Sequence, residues 1–399
     1  MGERVVARPN SKFQFSDVCR YTDDSRIISA DYRLSFPAHF LFLPSAENAT
    51  LVIIDALPSV DVISDFRLWE NPIRPPPLEP AFVIREVGDK GMGMFATRPI
   101  ARGEPIICER PTLVLHDRLS VHKDQHHAFY ESALAGLSPD AQTAISTLRN
   151  AHPETPELSR IRGIIYTNCL AVYFPHDTSR AFSALCGQLC RANHSCAPNA
   201  HYSPVVDTFE CKLSAMRAIA EGEEITMAYA NVAASTAERR ECLLERYKFE
   251  CHCTACDLPE PQATESDRRR TTIGASLGRI NEGGVQESVS IARVKDLIKL
   301  AEEEGMVEEA WVLSMAGMRY AQRHHDRAEE LGMELQKMNF MRMLEGNDAD
   351  EFGAFAKRKG LSAEELVKTF EDSTREGLGL DYGLFEKLLA AKMAHAGSK

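Results

Sequence analysis

The chain has 399 residues, 44% hydrophobic and 26% charged, with a formal net charge of −12. That length accommodates two or three domains, and the acidic balance weighs against a protein held to nucleic acid by bulk charge. No eighteen-residue apolar run occurs, so no membrane span is expected. No apolar segment follows Arg4 and Arg8, so no secretion signal is read either. The eleven cysteines are then placed in a reducing compartment, cytoplasmic and/or nuclear, where metal ligands and free thiols are favoured over disulfides.

Residues 1–80 read as an N-terminal extension. The apolar runs His39–Leu43 and Thr50–Ile54 are of strand length and flank a loop, which predicts a hairpin. Trp69 reads as a packing anchor. Pro72, Pro75, Pro76, Pro77 and Pro80 predict a stiff connector.

A short strand is expected over Ala81–Arg85, followed by Lys90-Gly91-Met92-Gly93. A Gly-x-Gly pair lets the backbone turn sharply and approach a ligand closely. No helix opens after it, so it is not a dinucleotide fingerprint. Next comes an Arg-x-Ile-x-x-Gly-Glu-x-Ile frame at Arg98–Ile106, which recurs at Arg217–Ile225. Two such units predict a sheet-rich fold with two similar halves.

Between the halves, 114–165 changes to helical spacing over His122–Leu137 and Asp140–Leu148, with Ser138-Pro139-Asp140 as a helix start. His116, His122, His126 and His127 lack a carboxylate or thiol frame and read as packing or solvated residues. Ile164–Leu170 reads as a strand containing Asn168.

Three segments then carry most of the chemistry. Arg191–Asn199 is a polar, turn-forming run that contains Asn193-His194-Ser195-Cys196. Glu221–Tyr229 ends on an aromatic residue. Tyr247–Cys256 contains Cys251-x-Cys253-x-x-Cys256, three thiols in six residues, whereas zinc takes four ligands in a tetrahedron. Arg239 and Arg240 read as helix-surface charges, and Arg268-Arg269-Arg270 as a solvated helix start. The other cysteines read as buried free thiols. Residues 259–399 are expected to be α-helical: Val294, Leu297, Ile298 and Ala301 share one face, a capping box is read at Ser362-x-x-Glu365, and a last helix at Leu384–Leu389.

Together with Lys90–Ala96, these segments resemble the signature of a SET-domain methyltransferase, and most closely of the SET-and-MYND (SMYD) subfamily. The resemblance covers about 81–258 and implies an α+β fold: a β-rich SET domain with a helical insert (about 114–165) and a post-SET zinc motif. It would be followed by an α-helical C-terminal domain, tetratricopeptide-like by analogy. Cys108 is the only cysteine between Phe95 and Asn168, so a MYND finger is expected to be absent.

By the same resemblance, Asn193 and His194 contact S-adenosylmethionine. Lys90, Gly91, Met92 and Gly93 hold its amino-acid end, Asn168 lies nearby, and Phe249 faces the adenine. Tyr229 sits beside the transferred methyl and Tyr247 at the lysine channel. Cys196 completes a structural Zn2+ site with Cys251, Cys253 and Cys256. The implied activity is protein-lysine N-methylation, on a histone or non-histone protein, by a monomer with no direct nucleic-acid or membrane partner. The alternative is a SET-fold scaffold that acts as an interaction module.

Overall fold

The computed structural model describes residues 80–116, 137–155, 158–174, 177–205, 210–283 and 290–345, with the strands 20–22, 39–43 and 50–54 and isolated positions at 130–131, 134–135 and between 355 and 371. Trp69, the proline connector, His122, His126, His127, the box at Ser362 and the helix at Leu384–Leu389 lie outside the described residues, as does most of the helix read over 122–137.

Three sheets form the first two thirds of the chain. β1 (Arg20–Thr22), β2 (His39–Leu43) and β3 (Thr50–Ile54) make an antiparallel ribbon. β3 then runs parallel to β7 (Leu113–His116), and β9 (Asp177–Leu185) and β8 (Leu170–Phe174) complete a six-stranded sheet. The second sheet has the order β10-β13-β5-β4, from Asn193–His194, Glu224–Met227, Met92–Ala96 and Phe82–Glu86. Its β10–β13 pair is parallel, with Asn193 opposite Thr226. The third sheet joins β11 (Ala200–Val205), β12 (Glu210–Ala215) and β6 (Pro105–Glu109).

The repeated frame is a pair of interlocked turns. Ile100 and Ile219 exchange both backbone hydrogen bonds, at 2.9 and 3.0 Å. The Gly103 amide donates to Ala215 O, and the Gly222 amide to Ala96 O. Both glycines have positive φ, +77° and +78°, a backbone shape that costs other residues a Cβ clash. Ile100, Ile106, Ile219 and Ile225 are all buried in the central core, which the two frames therefore share.

The insert supplies α1 (Pro139–Ser146), with the Ser138 hydroxyl accepting from the Ala141 amide and Pro139 at the first turn. It also supplies α2 (Arg160–Asn168). Here the structure corrects the strand expected over Ile164–Leu170: the helix runs to Asn168 and only Leu170 onward is strand. The Ser159 hydroxyl caps it by accepting from the Arg162 amide. Buried Ile161, Ile164 and Ile165 form an i, i+3, i+4 stripe that outweighs the strand preference of adjacent β-branched residues.

α3 (Thr236–Tyr247) starts with a full capping box between Ser235 and Glu238. Further helices among the described residues are α4 (Gln262–Gly283), α5 (Ile291–Glu303), α6 (Val307–Arg323) and α7 (Arg327–Glu345). Ile273, Leu297, Leu313 and Phe340 close their common core. Among the described residues no helix is long and apolar enough to cross a membrane.

Candidate active site and metal centre

A cavity of about 510 Å³ lies where the second sheet, the insert and the Tyr247–Cys253 segment meet. Lys90, Met92, Asn168, Asn193, His194 and Tyr229 line it, and Tyr247 and Phe249 close it further. Gly91 and Gly93 are not part of this wall. Gly93 instead permits the close approach behind it: a Cβ there would lie 2.7 Å from Val87 Cγ2, 2.9 Å from Asn193 Nδ2 and 3.0 Å from Glu224 Oε1.

Asn193 is oriented by that approach. Its Nδ2 donates to Glu224 Oε1 at 2.8 Å and to Met92 O at 3.2 Å. With both amide hydrogens used, Oδ1 is left as an acceptor. Asn168 is committed in the same way, donating from Nδ2 to Arg149 O and Ile164 O, both at 2.7 Å.

His194 links the cavity to the thiols. The Tyr229 amide donates to its Nδ1 at 2.9 Å, which puts the proton on Nε2, 3.2 Å from Cys196 Sγ. Burial lowers its pKa to about 4, so the ring is neutral at pH 7. The Tyr229 hydroxyl donates to Ala192 O at 2.6 Å, and burial pushes its pKa up, which keeps it protonated. The Tyr229 and Tyr247 rings are 5.0 Å apart, and Phe249 lies 6.5 Å from Tyr247 and 6.2 Å from His194.

Beside this aromatic wall, the Sγ atoms of Cys196, Cys251, Cys253 and Cys256 all lie within 4.8 Å of one another. The Cys196 amide also donates to Cys253 Sγ at 3.3 Å. Four thiols at this spacing could hold one metal ion, and their surroundings suit it. Arg239 is 1% exposed, its Nη2 is 3.9 Å from Cys256 Sγ, and its Nε has no hydrogen-bond partner. Burial opposes its charge, but the Cys196 and Cys256 thiols outweigh that and raise its pKa. Asp267 Oδ1 stands 3.7 Å from its Nη1, and a zinc ion with four thiolates, of net charge about −2, would add a second negative neighbour to that buried guanidinium.

Two readings of arginines as surface charges are overturned here. Arg239 is buried against the thiols, and Arg240 donates to Cys251 O and Cys256 O at 3.2 and 3.0 Å. Arg270 is also 1% exposed; it donates to Cys196 O, Val232 O and Glu304 and so ties α4 and α5 to the thiol turn. Arg268 alone of that triplet is exposed, paired with Glu265. Local charge density conceals the burial of Arg270, because Glu304 and Cys196 lie 34 and 74 residues away. Among the other cysteines, Cys186, Cys190 and Cys211 are buried, whereas Cys242 is exposed at the helix surface.

Four further residues, to which the sequence motifs assign no role, belong to the site. Arg149, Arg191 and Cys190 line the cavity. Asn199, 1% exposed, donates to Glu223 Oε1 and Glu224 O and accepts from the Thr226 amide. It thereby sews the Asn193–Asn199 run to β13. A Pro-Asn pair ending a polar run was the available signal.

Residues 91–230 match the SET domain family. A histone-lysine N-methyltransferase, set5, of Schizosaccharomyces pombe is 31% identical over 195 residues, 48% of this chain and 56% of that protein. The mouse histone-lysine N-methyltransferase SMYD3 is 36% identical over 93 residues, 23% of this chain and 21% of its own length. The chicken N-lysine methyltransferase SMYD2 is 29% identical over 128 residues, 31% of this chain and 25% of its own. The chain thus spans about half the length of the first of these relatives and a quarter or less of the others.

Proposed function

Starting from the SET domain at residues 91–230, we propose that this SMYD-like chain is an S-adenosylmethionine-dependent protein-lysine N-methyltransferase. The observation that carries it is the convergence of Asn193, His194, Tyr229 and Tyr247 on one cavity beside four clustered thiols. Bound there, S-adenosylmethionine would supply a sulfonium methyl for transfer to a lysine ε-amine, with its thioether as the leaving group.

The residues of the chain prepare that event. The Asn193 Oδ1 acceptor suits an ammonium group. The Tyr229 hydroxyl, held by Ala192 O, keeps its lone pairs for a positively polarised methyl, and Ala192 O adds a second negative dipole. Such fixed dipoles need no rearrangement during the reaction. The attacking amine must be neutral, and free lysine has a pKa of about 10.4. The Tyr229–Tyr247 wall disfavours its charged form by desolvation, so the proton leaves to water before attack. No side chain is assigned as a general base. Phe249 offers a flat apolar face for a purine.

Cys196, Cys251, Cys253 and Cys256 would hold a structural zinc with no open position. Its contribution is to fasten the Tyr247–Cys256 segment across the cavity. The substrate is a lysine in a protein, histone or non-histone, and the chain works as a monomer in the cytoplasm or nucleus.

Transfer of labelled methyl to a protein extract tests the reading. Tyr229→Phe should slow it about hundredfold, by the scale of losing one preorganised dipole, and Asn193→Ala should abolish cofactor binding in calorimetry. Full transfer by both variants would overturn the site. A wild-type chain that binds no S-adenosylmethionine would favour the scaffold instead.

A further inference from the structure

The turn that brings Cys190 and Arg191 to the cavity wall is held from outside the cavity. Leu189–Arg191 forms a single 3-10 turn. The Arg191 amide donates to Gln188 O at 2.8 Å, and the Ala192 amide to Leu189 O at 3.1 Å. The tail of the turn leads straight into the site: Ala192 O anchors the Tyr229 hydroxyl, and Asn193 and His194 follow as β10. The head is gripped by Glu109, the last residue of β6 in the third sheet. The Leu189 amide donates to Glu109 Oε1, and the Gln188 amide to Oε1 and Oε2 at 3.2 and 3.4 Å.

Both oxygens therefore face N–H donors, a setting that suits a carboxylate, which only accepts. A protonated carboxyl turns one oxygen into a donor and gives up part of the grip. The charged form has little other support. Among the described residues no cation forms an ion pair with Glu109, and the neighbouring Arg110 feels Glu210. The titratable groups around it are thiols: Cys186 and Cys190, which burial keeps protonated, and Cys211, opposite it in β12. Desolvation sets the Glu109 carboxyl at about 7 in spite of the two amides. Leu189 and Ala192 are both buried, and a close-packed interior transmits a displacement. A shift at the head of the turn is thus carried to its tail.

We infer that Glu109 is a positioning residue for methyl transfer: its carboxylate holds the head of the Leu189–Arg191 turn and thereby sets Ala192 O, the Tyr229 hydroxyl and Asn193 at the other end. This rests on the S-adenosylmethionine reading above. Glu109 itself does not line the cavity. Its charged form assembles the wall that receives the cofactor, so cofactor affinity follows that charge.

Calorimetry of the full chain with S-adenosylmethionine at about pH 6 and about pH 8 tests this. The wild-type chain should bind about threefold to tenfold more tightly at the higher pH, the reach of a pKa that falls by up to one unit on binding. Glu109→Gln, neutral throughout, should bind alike at both and close to the weaker wild-type value. A merely structural glutamate would give a variant weakened by the same factor at each pH, with the wild-type dependence kept. That result, or a wild-type chain with no dependence, would overturn the inference and leave the methyltransferase reading standing. A second measurement needs no substitution. The amide NMR signals of Gln188 and Leu189 should move together with a midpoint near 7, and signals that stay fixed over this range would also overturn it. A wild-type chain that binds no S-adenosylmethionine at either pH would remove both readings.

Discussion

The frames at 98–106 and 217–225 make the same side-chain bonds as well as the same turn. Arg98 donates to Glu104 Oε1 at 2.6 Å, and Arg217 to Glu223 Oε1 at 2.6 Å. The other carboxylate oxygen accepts from the Ala101 amide in one frame and the Ala220 amide in the other, at 2.9 Å in both. Beyond the glutamate the two frames part. The first continues into Pro105, and its neighbour Arg102 reaches Met343 of α7 at 2.9 Å. The second continues into Glu224, which grips Asn193 and Lys90, and its strand β13 carries the parallel pair with β10. One frame faces the helical lobe and the other the cavity. A repeated turn can thus be a scaffold twice and border the cavity once, with the distinction resting on the variable residue between the shared Gly-Glu and the closing Ile.

The largest break in that comparison should come from Cys196→Ser. Cys196 lies just after β10, the strand that only the second frame carries, and its carbonyl also receives Arg270. Metal analysis should fall from about one zinc per chain to near none. Unfolding stability should fall by about 4 kcal/mol or more, as for other losses of a structural metal. Undiminished zinc would remove Cys196 from the ligand set.

Glu104→Ala and Glu223→Ala should nearly match. Each removes a guanidinium bond and a backbone cap, and both pairs are partly exposed, which screens them; Glu223→Ala also takes one acceptor from the Asn199 amide, which keeps Glu224 O. About 1–2 kcal/mol is expected from each by denaturant unfolding. A difference much beyond that range would mean that the two turns do not have the same mechanical role.

A pH-dependent effect concerns the strand that leaves the first frame. Burial pushes the Glu109 carboxyl up to about 7, against the pull of the Leu189 and Gln188 amides that donate to it. A raised carboxylate pKa means that the folded chain holds a proton the unfolded chain has already lost. Stability should therefore fall as pH rises from about 4.5 to about 7, then level off. Glu109→Gln should flatten that slope; a slope that persists unchanged would assign it to other groups.

The range of each interaction decides whether it is legible in the sequence. The cysteine triplet, Asn193-His194 and the doubled frame are local patterns, and they take their meaning from occurring together in one chain. The α2 helix reads as a strand because contiguous β-branched residues at Ile164 and Ile165 favour one locally, whereas the cap at Ser159 and the buried stripe favour a helix. Arg239 and Arg270 look solvated because the carboxylates that pair with them, Asp267 and Glu304, are distant in the chain and meet them only across the fold. Arg149 is hidden for the same reason, since only folding brings the insert to Lys90.

The sharpest test of the comparison uses the smallest expected changes, at the one position where the frames diverge. Pro105→Ala should leave stability within about 0.5 kcal/mol, the scale of a surface substitution, and leave cofactor binding unaltered. Glu224→Gln should also fold normally, because Gln is nearly isosteric and can still accept from Asn193 Nδ2. It removes the charge, however, and with it both the attraction for Lys90 and part of the bond that fixes the Asn193 amide. Binding of S-adenosylmethionine should weaken by about threefold to tenfold, the loss of one charge-assisted contribution with the geometry kept. The two variants alter equivalent positions of equivalent turns, so calorimetry that found them equally silent would show that Glu224 has no more to do with the cavity than Pro105 has.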